Sequence, residues 1–151
     1  GKGVGVLMSG LDFERAVLAG GPLGIMAACM DVVIPYLHER KQFGQSIGKF
    51  QSVANRIVDM KVRLDTCRPL VYRIGRLKDS GQSARLEAAV AKLYVSECFV
   101  TSALDAMRVF GGYGYMTEQG LERELRDAIG GIFFSGTSDI QRNIIAKELG
   151  L

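Results

Sequence analysis

From Val53 to Ile74 apolar residues recur at alternating intervals of four and three: Val53, Ile57, Met60, Leu64, Cys67, Val71 and Ile74, with charged residues between them. A repeat of this kind lays all seven on one stripe of an α-helix, and the stripe is buried by packing against other helices. The pattern predicts a helix over 50–78, bent at Pro69 and ended by Asp79-Ser80-Gly81. A second helix, expected over 84–110, offers two stripes. One runs through Leu86, Val90, Leu93, Glu97, Val100, Leu104 and Met107, the other through Ala89, Leu93, Ser96, Val100, Ala103, Met107 and Phe110. Glu97 on the first stripe needs a pairing partner or partial exposure.

Upstream, a helix is expected to open at Asp12 as its cap and to reach Arg40, with a kink where Pro22 removes a backbone donor. Residues 1–10 are glycine-rich and are expected to be a linker or the tail of a preceding strand, which leaves 11–151 for the helical domain. Thr117 is expected to cap a further helix, and Ile140–Leu149 to form the last one, closed by Gly150. No βαβ unit and no GxGxxG after a strand is present. The fold class is therefore all-α, an up-and-down helical bundle of about four to five helices.

A chain of 151 residues with 48% apolar and 23% charged residues is one globular domain. Three widely spaced cysteines and a lone histidine, His38, form neither a disulfide framework nor a zinc motif. A reducing compartment is expected. The longest uncharged run, Ala16–Met30, covers 15 residues and is read as a buried helix rather than a membrane span. Positive charge is concentrated between His38 and Lys78, with ten Lys or Arg against three Asp or Glu. That band either faces phosphates or is a set of solvated helix faces. No basic cluster or motif suits nucleic acid.

Three polar stretches interrupt the helices. Arg40–Gln51 is a glycine-containing loop of cations, aromatics and glutamines, residue types that suit a flat phosphorylated ligand. Gly111-Gly112-Tyr113-Gly114-Tyr115 permits close backbone approach, and its tyrosines either cover a ring-shaped ligand or pack over the bundle end. Phe133–Asp139 has two readings. Ser138 with Gln141 fits a capping box, and Asp139 adds first-turn negative charge. Alternatively Gly136, the hydroxyls of Thr137 and Ser138 and the backbone N–H groups cradle a polar ligand group.

Seven spaced motifs resemble one known family. They are Leu11-Asp12-Phe13-Glu14-Arg15, Ala19-Gly20-Gly21-Pro22-Leu23-Gly24, Arg40-Lys41-Gln42-Phe43-Gly44, Phe50-Gln51, Gly111-Gly112-Tyr113-Gly114, Arg126-Asp127-Ala128 and Ser135-Gly136-Thr137-Ser138-Asp139-Ile140-Gln141-Arg142. Together they are similar to the carboxy-terminal helical domain of the acyl-CoA dehydrogenases, over essentially the whole chain and in the same order. The first two most resemble the isovaleryl branch. The resemblance implies a flavoprotein with an amino-terminal helical domain and a middle β-domain, assembled as a homotetramer or dimer. It implies FAD between the β-domain and the bundle, with the adenosine end reaching a neighbouring subunit. By position, Arg40, Phe43 and Gln51 then contact the pyrophosphate and adenine side of FAD. The stretch from Arg108 to Gly111 and Gly112 lines a neighbour's FAD, although Arg108 departs from the usual Gln or Glu. Thr137, Ser138 and Asp139 meet the cofactor.

The implied reaction is α,β-dehydrogenation of a short or branched acyl thioester, in which a carboxylate removes the α-proton. Most of the family places that base immediately before Gly-Thr-Ser, where this chain has Ser135. The isovaleryl and long-chain branches place it on the first bundle helix before an arginine, and Glu14 before Arg15 occupies that position. Without the resemblance Glu14 reads as an ordinary first-turn acid. With it, Glu14 is the catalytic base, and Asp12, Arg15, Ser135 and Gly136 lie on the substrate side. The substrate is acyl-CoA or, as an alternative, an acyl or aminoacyl group such as prolyl on a carrier protein. An electron-transfer flavoprotein or oxygen accepts the electrons. A reading from another class is a non-catalytic bundle for oligomerisation or partner binding, which leaves the three polar stretches without a purpose.

Overall fold

The computed structural model describes the backbone of residues 1–151 and every side chain except that of Asp12. Seven α-helices and one minimal hairpin make up the chain. They are α1 (Gly3–Leu18), α2 (Gly20–Glu39), β1 (Lys41–Gln42), β2 (Gln45–Ser46), α3 (Gln51–Asp79), α4 (Arg85–Phe110), α5 (Gly112–Tyr115), α6 (Leu121–Gly131) and α7 (Ser138–Glu148). The all-α bundle is as expected, and the predicted bounds of the two long helices agree with α3 and α4 to within a residue.

The expected first helix is two. Ala19 separates α1 from α2, and Pro22 then sits in the opening turn of α2, where its missing N–H costs no helical bond. Asp12 is not a cap, because α1 begins nine residues earlier, at Gly3. The segment expected as a linker is thus the start of α1. It projects from the bundle with Val4, Val6 and Leu7 exposed, where continuing an established helix is easier than nucleating one. By length and composition the Gly3–Glu39 stretch could cross a membrane. Here Met26, Cys29, Val33 and Leu37 bury the inner face of α2 in the core.

Helix α4 is the centre of the bundle and touches α1, α2, α3, α5, α6 and α7. Its buried residues include Ala88, Ala91, Val95, Phe99, Ala106 and Val109, a row on neither predicted stripe, together with Ala89, Ser96, Ala103 and Phe110 of the second. Small side chains allow neighbours to approach on several sides, so the large residues alone do not mark the inward face. On α3 the predicted stripe holds: Met60, Leu64, Cys67 and Ile74 are buried, with Val53, Ile57 and Val71 packed against them. Pro69 lies within α3 without ending it.

The loop after α2 is a tight hairpin pairing Lys41 with Ser46 and Gln42 with Gln45. Phe43 and Gly44 at its tip have φ of 50° and 78°, the positive angles of a primed hairpin turn. At the far end of α4, a Cβ on Gly114 would lie 2.6 Å from the Met107 carbonyl oxygen, so only glycine lets α5 fold back on α4. Thr117 does not cap α6; it opens a 3-10 turn, and Gly120 in the left-handed region precedes Leu121.

Candidate functional site

The final turn and α1 meet through two consecutive residues. Ser135 Oγ donates to Glu14 Oε1 at 2.5 Å, and Arg15 Nε donates to the Ser135 carbonyl at 3.0 Å. Glu14 lies one turn before the end of α1 rather than in its first turn, so its carboxylate is far from the positive end of the helix. Arg15 is 3% exposed, whereas Glu14 is open to solvent. The Asp12 side chain lies outside the described residues.

Gln141 supports the turn from below. Its Nε2 donates to the carbonyls of Ser135 at 3.1 Å and Gly136 at 3.0 Å, and the side chain is 0% exposed. This replaces the expected capping box. The cap of α7 is Thr137, whose Oγ1 accepts from the Ile140 N–H at 3.3 Å. Ser138 faces α4 instead and donates to Glu97 Oε1 at 2.7 Å, while Asp139 accepts from Arg142 at 2.9 Å. Glu97 is therefore exposed and paired. Gly136 has φ of 93°, and a Cβ there would lie 2.8 Å from Gln141 Nε2. The turn accepts glycine at that point on both counts.

Lys92 gave no sequence signal beyond being a lone cation in an alanine-rich stretch of α4. It is 4% exposed, its Nζ has no hydrogen-bond partner among the described residues, and it lies 5.9 Å from the centre of the Phe134 ring. Burial, and next the charge of Arg15, push its ammonium below the usual lysine range, with Glu97 opposing.

A second constellation occupies the far end of α4, roughly 20 Å along its axis from Glu97 at 1.5 Å per residue. Tyr36 stacks on Phe110 with ring centres 3.9 Å apart and planes 12° apart, and Arg40 lies 5.9 Å from the centre of the Tyr113 ring. These residues, with Gly111 and Gly112, line a cleft of about 570 Å³. Phe43 stands at the hairpin tip, 91% exposed and edge-on to Phe50, and Gln51 opens α3 on the surface. Arg108 does not line the cleft. It pairs at 3.4 Å with Asp105, which also accepts from Arg63 at 2.9 Å and Arg56 at 3.1 Å. The structure thus gathers Glu14, Arg15, Ser135, Gly136 and the start of α7 at one place, and Arg40, Gly111 and Gly112 at another.

The family profile described as acyl-CoA dehydrogenase, C-terminal domain, matches residues 1–150. The chain belongs to the acyl-CoA dehydrogenase family. It is 48% identical over 147 residues to isovaleryl-CoA dehydrogenase, mitochondrial, of Bos taurus, covering 97% of this chain and 34% of that protein. It is similar in structure to the prolyl acyl carrier protein oxidase AnaB, with a TM-score of 0.97 and 46% identity over 100% of this chain and 40% of that one. The FAD complex of PigA matches with a TM-score of 0.95 and 43% identity, over 100% of this chain and 39% of PigA. The chain spans about a third of the length of the curated relatives it matches. Within this acyl-CoA dehydrogenase domain, Lys92 and the buried role of Gln141 are the features that motif reading missed.

Proposed function

We propose that this chain is the helical-bundle part of an FAD-dependent enzyme that oxidises a short or branched acyl thioester at its α and β carbons. The observation that carries the reading is the meeting of Glu14 with Ser135. The final turn holds a serine where most of the family has its acid, and a carboxylate from α1 reaches that same turn. Glu14 takes the α-proton: its carboxylate forms an O–H bond as the α C–H bond breaks. Arg15 and Gln141 hold the turn against which the thioester lies.

The residues at the far end of α4 suit FAD. The open cleft offers stacked aromatic rings, a cation at Arg40 and glycine backbone, which fits an adenine and a diphosphate. Arg40, Phe43, Gln51, Gly111 and Gly112 would hold that part of the cofactor, and Thr137, Ser138 and Asp139 would meet its other end. Bound FAD supplies the acceptor for the hydride that leaves the β-carbon. Because the two constellations lie at opposite ends of one stretch of α4, a homo-oligomer whose neighbouring subunits share each FAD accounts for both. An electron-transfer flavoprotein is the proposed acceptor downstream.

A second reading keeps the chemistry and moves the acyl group, prolyl for example, onto a carrier protein. The similarity to AnaB favours it. Full-length protein carrying this bundle should be assayed with isovaleryl-CoA and with prolyl-loaded carrier protein, following the unsaturated thioester by mass spectrometry. Conversion of isovaleryl-CoA alone supports the first reading, and conversion of the carrier-bound group alone supports the second. Failure to bind FAD at all refutes both and leaves a non-catalytic bundle.

A further inference from the structure

Ser135 occupies a backbone conformation that serine does not favour. Its φ is 58°, in the left-handed region, and it is followed by Gly136 at 93°. Glycine or asparagine is the residue a turn of this shape ordinarily takes, because a Cβ crowds the following carbonyl there. Such a conformation persists only where the surroundings fix it, and two side chains do so here. Arg15 and Gln141 both donate to the Ser135 carbonyl, at 3.0 Å and 3.1 Å. Both are buried, so turning the peptide would cost each of two buried donors its bond to this carbonyl.

The hydroxyl is what serine adds over glycine, and it donates to Glu14. Glu14 has three rotatable side-chain bonds and is open to solvent, and among the described residues of its own helix none selects one direction for its carboxylate. The bond from Ser135 is made to Oε1, which leaves Oε2 as the oxygen to receive a proton. Arg15 next to it holds the same serine by its carbonyl, so one loop residue is gripped by two consecutive residues of α1.

We propose that Ser135 is a positioning residue for Glu14, its hydroxyl holding the carboxylate in the single orientation from which the α-proton is taken. The inference rests on the reading of Glu14 as the base. It concerns a residue that touches the base, and it makes the unfavourable backbone of Ser135 part of the catalytic arrangement.

The test uses the full-length holoenzyme and an acyl-CoA in which sulfur replaces the β-carbon, so that the α-proton can be lost while oxidation is impossible. Incorporation of α-deuterium from D2O is measured by mass spectrometry, together with the dissociation constant of the ligand and the unfolding midpoint. Ser135→Gly relieves the backbone and removes the hydroxyl. The expected result, at ligand concentrations that the measured dissociation constant shows to be saturating, is exchange slowed by about tenfold or more with an equal or higher midpoint. A merely structural serine predicts the reverse, exchange at the parent rate or faster. Ser135→Asn keeps a donor on a residue that tolerates the left-handed region, and is expected to recover most of the exchange. Glu14→Gln separates the two claims. If it abolishes exchange while Ser135→Gly exchanges at the parent rate, positioning fails and the base stands. If Glu14→Gln itself exchanges at the parent rate, both are overturned.

Discussion

Ser135 and Glu14 are 121 positions apart in sequence and share a hydrogen bond of 2.5 Å, which with the Arg15 bond to the Ser135 carbonyl joins the final turn to the first helix. Neighbouring side chains fix the turn that carries it. Arg15 and Gln141 fix the serine's carbonyl, Thr137 caps α7, and Glu97 on the central helix anchors Ser138.

The turn leaves no room for a side chain at Gly136. Gly136→Ala sets a Cβ against Gln141 Nε2 and Ile140 Cγ2 in a left-handed backbone. The expected cost is about 1–3 kcal/mol of stability. Denaturant unfolding followed by circular dichroism checks it, and a shift of the midpoint to lower denaturant is the predicted outcome.

Lys92 gives a pH signature. Its ammonium is held below the usual range in the folded chain, while in the unfolded chain it titrates near 10.5. Between those two values the unfolded state binds the extra proton, so this residue's penalty is fully present below the folded value and is relieved as pH rises from there towards 10.5. Lys92→Met removes the penalty and is expected to gain about 1–3 kcal/mol at pH 7. The difference between parent and variant should shrink as the pH approaches 10.5. Urea unfolding of both at several pH values measures it, and a difference independent of pH contradicts the account.

Much of this was legible in the sequence. The stripe from Val53 to Ile74 placed α3, and the run to Phe110 before a glycine corner placed the end of α4. Other features depended on tertiary context. The small residues of α4 are inward on several faces, so periodicity of large side chains could not choose among them. Gly3, Gly5 and Gly10 argue against a helix by propensity, yet α1 extends through all three from an anchored segment. Ser138 and Gln141 have the spacing of a capping box, but Thr137 takes the cap and frees both for longer-range bonds. The family resemblance pointed to Glu14 and Ser135 separately; only folding brings them into contact.

Arg40 is expected to account for much of the cofactor's hold on the far cleft. In full-length protein, Arg40→Ala should weaken FAD binding by about ten- to a hundredfold through loss of a charge-assisted contact to phosphate. Titration of apoprotein with FAD, followed by flavin fluorescence, checks this. Arg108→Ala should leave the affinity nearly unchanged, because Arg108 pairs with Asp105 and does not line the cleft.

The most direct test of the account is anaerobic mixing of the full-length Glu14→Gln holoenzyme with its acyl thioester, following the loss of flavin absorbance. Removing the base is predicted to slow flavin reduction by about a hundredfold or more while FAD stays bound. Reduction at close to the parent rate would contradict the assignment of Glu14 as the base.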